Sequence, residues 1–283
     1  MDGDVAMEKF RKNGVDIAYE VRGSGIPLVF VHPPVISSIS FRPQMQDLER
    51  DFTAVRFDIR GHGQSSESRE PLTYALISDD IVGLLDHLQI SKAFVCGYSM
   101  GGSVALEFLL RHPDRALGAV VIGGVSEVHD VRLAIRMRIG AIITGMGLVS
   151  PFTWLLAKGN SGDTHTLWDT YQESKGGNPQ NMKQYYRYGL KYRCTDRLAA
   201  ITLPALLVYG AKDKGFHSYA YLLEKSLSNT RLVFIENMGH AIPGKASDVL
   251  HTHIREFVDE SQGKTTLPGN LPSPLEGFPS STN

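Results

Sequence analysis

The tightest constraint on this chain is the stretch Phe94-Val95-Cys96-Gly97-Tyr98-Ser99-Met100-Gly101-Gly102. An apolar strand runs straight into a serine with glycine two residues to either side, and a helical pattern follows to about His112, where Pro113 stops it. A turn that sharp presses positions 97 and 101 against neighbouring backbone, so neither has room for a Cβ. The serine is held on a strained bend with its hydroxyl proud of the sheet. The helix behind it aims its first amides at the same point, where negative charge is favoured.

The rest of the chain repeats the strand and helix theme. Val15 to Val21 alternates polar and apolar residues, turns at Gly23-Ser24-Gly25, and predicts an antiparallel edge hairpin with Phe10 to Lys12. Leu28-Val29-Phe30-Val31 is apolar at every position, as a strand buried on both faces must be. Thr53 to Phe57 and Gly118 to Ile122 predict further strands, and Thr73 to Leu88 a helix with Ile77, Ile81, Leu84, Leu85 and Leu88 on one face. The fold class that follows is α/β: a doubly wound, mostly parallel sheet with helices on both sides.

After Gly124 the alternation stops. Residues 125–203 hold only helical patterns, such as Val131 to Ile143 and Lys183 to Tyr192, and are rich in Trp and Tyr. The sheet resumes at Ala205 to Tyr209 and Arg231 to Ile235, and a helix from Ser247 to Asp259 closes it. This predicts a core of residues 1–124 and 204–260, a helical cap of 125–203, and a disordered tail of 261–283 with four prolines. Where the cap covers the serine, its aromatic residues suit an apolar ligand. Trp154 and Trp168, with Tyr98 and Pro34, are the candidate pocket residues, although most of the aromatics are expected to form the cap's own core.

With 283 residues and 42% hydrophobic content, the chain can bury a large core. A formal net charge of -1, with no charge run or basic helix in evidence, gives no electrostatic reason to expect nucleic acid or an anionic membrane as partner. Two cysteines make no disulfide framework, and no apolar run suggests a leader or a spanning helix, so a cytoplasmic protein is expected. His251 and His253 lie two apart on a helix and point to different faces, which rules out a local metal pair. Gly61 and Gly63 lack a third glycine at dinucleotide spacing. Neither cofactor nor metal is expected.

A serine hydroxyl needs a base, and the base needs an orienting acid. His240 and Asp213 each lie just past the end of a predicted strand, the edge where open parallel sheets gather their sites. Glu127, beyond the strand ending at Ile122, is a competing acid; Asp213 is preferred because its strand exit falls beside that of His240. The order Ser, Asp, His along the chain differs from both protease orders.

On these motifs, together with His32, Phe57 to Ser65 and Gly210 to Asp213, the chain resembles the α/β-hydrolase fold superfamily over residues 10 to 260, in the type with a helical cap. The serine separates it from relatives with aspartate at the elbow. The resemblance implies a cofactor-independent serine hydrolase whose oxyanion hole is built from two backbone N–H groups. Met100 supplies one. The other usually follows a His-Gly pair, yet here stands His32-Pro33-Pro34, and proline has no N–H. Either the Val35 N–H takes that place, helped by a cis bond before one proline, or the hole is incomplete, with the Ser37 and Ser38 hydroxyls as further candidates. The expected substrate is a small to medium apolar carboxylic ester or lactone. The alternatives are carbon–carbon hydrolysis of an activated diketone, or a ligand receptor with slow turnover.

Overall fold

The computed structural model describes residues 7–263. The hairpin β1 (Glu8–Lys12) and β2 (Val15–Arg22) leads to β3 (Ile26–Val31), α1 (Arg42–Leu48), β4 (Phe52–Phe57) and α2 (Tyr74–His87). Then come β5 (Ala93–Tyr98), α3 (Met100–Arg111) and β6 (Ala116–Ile122). Four helices follow without a strand: α4 (Val131–Gly145), α5 (Val149–Asn160), α6 (Thr164–Ser174) and α7 (Pro179–Gly189). The chain closes with β7 (Ala205–Gly210), α8 (His217–Ser226), β8 (Thr230–Ile235), the short α9 (Ile242–Lys245) and α10 (Ser247–Ser261). The tail expected from 261 lies outside the described residues from 264 onward, and Ser261 itself ends α10. No helix among the described residues is long and apolar enough to cross a membrane.

The strands form one sheet in the order β1-β2-β4-β3-β5-β6-β7-β8. Only β1 with β2 and β2 with β4 pair antiparallel; the rest are parallel. The unbroken apolar runs of β3, β5, β6 and β7 follow from their period of two, because alternate residues serve two separate cores. Val29, Val31, Val95, Ala119, Val121 and Leu207 join the layer under α2, α3 and α8. Leu28, Phe30, Phe94, Val120, Ile122, Leu206 and Val208 join the layer under α1 and α10. Four of the helices are started by side chains in the sequence: Thr73, Asp130, Asp163 and Asn178 accept from the first-turn N–H groups of α2, α4, α6 and α7.

The parallel arrangement brings the exits of β3 to β8 to one edge, and buried polar bonds fix the loops there. The Asp58 carboxylate, after β4, accepts from the Ser38 N–H at 2.9 Å, the Ser38 hydroxyl at 2.7 Å and the Gln64 N–H at 2.8 Å. Two residues on, the fully buried Arg60 guanidinium holds Asp80 of α2 through two bonds of 2.6 and 2.8 Å. A carboxylate removed here leaves a buried cation with Glu70, at 3.6 Å, as its nearest acid. Asp80→Asn is therefore expected to lower the unfolding free energy in urea by about 3 kcal/mol or more. Asp86→Asn, which breaks the surface pair with Arg115, is expected to change it by less than about 1 kcal/mol.

Candidate active site

Ser99 sits at the junction of β5 and α3 with φ 54 and ψ -120, outside the regions a side chain normally allows. Such a conformation costs on the order of 1–3 kcal/mol and persists only where the surroundings over-determine it. They do so here. A Cβ on Gly97 would overlap the Gly101 carbonyl, and one on Gly101 would overlap the Val31 carbonyl at the end of β3. The Ser99 N–H donates to the Ile122 carbonyl at 2.7 Å, and the Ser99 carbonyl accepts from the Gly102 N–H at 2.9 Å.

His240 follows β8 and Asp213 follows β7, whose neighbouring exits bring the two together. The ring lies 2.8 Å through Nδ1 from Asp213 Oδ2 and 3.0 Å through Nε2 from Ser99 Oγ. Since a carboxylate only accepts, Nδ1 carries the proton and donates it to Asp213, leaving Nε2 free to accept from the serine hydroxyl. The ring is packed as well as bonded. Phe216 lies against one side with centroids 4.4 Å apart and Tyr98 stands at 5.4 Å, while a Cβ on Gly123 would press on the imidazole. Neither Gly123 nor Phe216 was anticipated; the signal for the first was a glycine at a strand exit, with φ +58.

Glu127 goes elsewhere: it accepts from the Thr195 hydroxyl at 2.8 Å and pairs with Arg193 at 3.0 Å, beside an isolated bridge between residues 127 and 193. As the first residue of α3, Met100 has an N–H with no acceptor inside the helix. There is no cis peptide among the described residues, so the expected cis proline is corrected to a trans loop. In that loop Val35 takes φ +75, an unusual state for a β-branched residue, and its side chain packs against Val149 and Met182 behind the cavity, whose wall here is formed by Pro33, Pro34 and Ile36. Ser37 and Ser38 are corrected too. Their hydroxyls are engaged with Ser174 and Asp58 and do not line the cavity.

That cavity encloses about 410 Å³ above Ser99 and His240. Pro34, Tyr98, Met137, Phe152, Leu156 and Tyr186 form much of its wall, and Arg136 and Asn160 add polar groups. The Tyr98 hydroxyl donates to Asn160 at 2.6 Å, linking the elbow strand to α5; burial, then the Asp213 charge, raises its pKa. Trp154 and Trp168 are not part of the wall. At 100° per residue, Trp154 lies about 200° around α5 from Phe152, and it packs with Trp168 and Tyr171 on a half-exposed face.

Two histidines hold the loops behind the site. His32 accepts from the Ile59 N–H at 2.9 Å through Nε2 and so donates from Nδ1 to the Pro33 carbonyl at 2.8 Å, tying the β3 exit to the β4 exit. His62 stands 5.2 Å from it, ring to ring. Burial lowers the His32 pKa to about 4, and burial with the neighbouring His32 lowers that of His62 to about 3. Both are neutral at pH 7.

The chain is similar to known proteins in sequence and in fold. An alpha/beta hydrolase fold family model matches residues 26–141. The "uncharacterized hydrolase YugF" of Bacillus subtilis is 26% identical over 278 residues, covering 91% of this chain and all of that protein. An esterase from Exiguobacterium antarcticum superposes with a TM-score of 0.78 at 21% identity, covering 87% of this chain and 97% of its own. The enol-lactonase of Burkholderia xenovorans LB400 gives 0.75 at 18%, covering 89% and 99%. The chain has the α/β-hydrolase fold.

The depressed imidazoles set a pH dependence. The unfolded chain takes up these protons near 6.5 and the folded one only near 4 and 3, so stability falls as pH drops through that window. The urea midpoint is expected to be lower at pH 4.5 than at pH 7, and the difference to shrink in His62→Gln.

Proposed function

We propose that this chain, a hydrolase of the α/β-hydrolase fold, is a serine hydrolase of small to medium apolar carboxylic esters or lactones. The observation that carries the reading is the unbroken line from Asp213 through His240 to Ser99, opening on an apolar cavity. The esterase and enol-lactonase among its structural neighbours agree with it.

In this mechanism Nε2 of His240 takes the Ser99 proton as Oγ attacks the carbonyl carbon. The charge that develops on the carbonyl oxygen meets the Met100 N–H at the start of α3 and the Val35 N–H on the proline loop. Each such donor contributes about 2.7 to 4 kcal/mol to the transition state. Asp213 holds the ring in the tautomer that accepts at Nε2 and stabilises the imidazolium. The imidazolium returns its proton to the leaving oxygen, and in a lactone that oxygen stays tethered to the acyl group. Water, activated by the same nitrogen, then releases the acid. Residues 125–203 act as the cap that keeps bulk water from this sequence.

Turnover of short p-nitrophenyl esters is expected to be lost in Ser99→Ala, with kcat lower by at least about 10⁴-fold. Asp213→Asn, which lets the ring take the wrong tautomer, is expected to cost about 10³- to 10⁴-fold in kcat. Glu127→Gln is expected to stay within a factor of about three. Retained turnover in Ser99→Ala, or the reverse ranking of the two acids, contradicts the assignment.

A further inference from the structure

The helix α4 buries one side and leaves the other uncovered. Met137, Gly140, Ala141 and Thr144 face inward. On the opposite side Val131, Ile135, Ile139, Ile142 and Met146 are between 47% and 73% exposed. At 100° per residue these five fall within an arc of about 80°. Arg138 flanks the arc on one edge and Arg132 and Arg136 on the other. The neighbouring α7 adds Lys183 and Arg187, and neither helix contains an acid. None of these five cations forms an ion pair with a described residue. Arg138, Lys183 and Arg187 line a groove of about 520 Å³ with Ile142, Met146 and Leu190.

An apolar stripe edged by unpaired cations has a specific physical complement. Aliphatic side chains in water favour burial, and exposed stripes of this size mark interaction sites. A second copy brought across a two-fold axis would set five unneutralised cations against five more. Nucleic acid offers phosphates, but the stripe supplies no aromatic ring on which bases could stack. An anionic bilayer satisfies both halves at once: acyl chains accept the stripe to a shallow depth, and headgroups neutralise the flanking arginines and lysine.

We infer that α4, with the basic edge of α7, docks this protein on the surface of an anionic lipid bilayer. The net charge of -1 argued against such a partner, but it averages a face with five cations against acids placed elsewhere. The stripe also borders the active-site cavity, since Arg136 and Ile139 line it. Docking sets the mouth of that cavity at the lipid interface, so a substrate dissolved in the bilayer reaches Ser99 without crossing water. The docking itself does not depend on the proposed ester hydrolysis.

The test is co-sedimentation of the full chain with vesicles of phosphatidylcholine alone or with about one-third phosphatidylserine. The unaltered protein is expected to partition onto the anionic vesicles, less so as salt is raised, and weakly onto the neutral ones. Each cation near such a surface adds about fivefold, so Arg138→Ser/Lys183→Ser/Arg187→Ser should lower partition about a hundredfold. Ile142→Asp/Met146→Asp should abolish it, with thermal unfolding reporting that both variants stay folded. Binding equal on both vesicle types, binding unchanged in either variant, or no binding at all overturns the inference. A dimer in analytical ultracentrifugation that disappears with Ile142→Asp overturns it also, by assigning the face to a second copy.

Discussion

Everything at the functional edge depends on one backbone turn. Ser99 at φ 54 is tolerated because β5 on one side and α3 on the other leave it no alternative, and because glycine stands wherever a Cβ would strike backbone. The bend does three things together. It lifts Oγ out of the sheet, places the first free amide of α3 beside it, and locks the elbow to β6 through the Ser99 N–H. Strain at Ser99 is offset by the packing of two core layers, so a local conformation costing on the order of 1–3 kcal/mol rests on the whole sheet.

Around that turn the polar groups are arranged so that few have freedom to move. Asp58 gathers the loops after β3 and β4, His32 ties the same two loops by their backbone, and Arg60 anchors them to α2. None of these side chains is needed for a proton transfer. They set where Pro34 and Val35 stand, and therefore, in the proposed mechanism, where a second amide would face the charge beside Met100. His240 is held in a similar way, between the Asp213 carboxylate, the ring of Phe216 and the bare α-carbon of Gly123.

Much of this was legible in the residues because buried parallel strands read as continuous apolar runs and strand exits mark the working edge. That logic picked out Ser99, His240 and Asp213, and the structure places His240 within hydrogen-bond distance of the other two. Of the pocket wall it located Pro34 and Tyr98, on the sheet side, but not the residues that the helices of 125–203 contribute. Trp154 and Trp168 are large and apolar, but their size says nothing of helix phase. The rotation of α5 is set by Val149, Thr153 and Ala157, which are buried and turn Phe152 and Leu156 toward the cavity instead. Glu127 stayed open as an acid because its partners, Arg193 and Thr195, come from far along the chain. The basic face of α4 was hidden for another reason. Its arginines are spaced along a helix that also carries apolar residues at helical intervals, so no run of charge stands out until the buried side is known.

The proposed mechanism turns on His240 making the Ser99 hydroxyl reactive. A p-nitrophenyl alkylphosphonate tests it directly, because its adduct on a serine is stable and its release of p-nitrophenol is counted optically. The account requires one equivalent of p-nitrophenol, one phosphonyl group located by mass spectrometry on the peptide containing Ser99, and a reaction all but lost in His240→Ala. An adduct on any other residue, or an equal rate in His240→Ala, contradicts it.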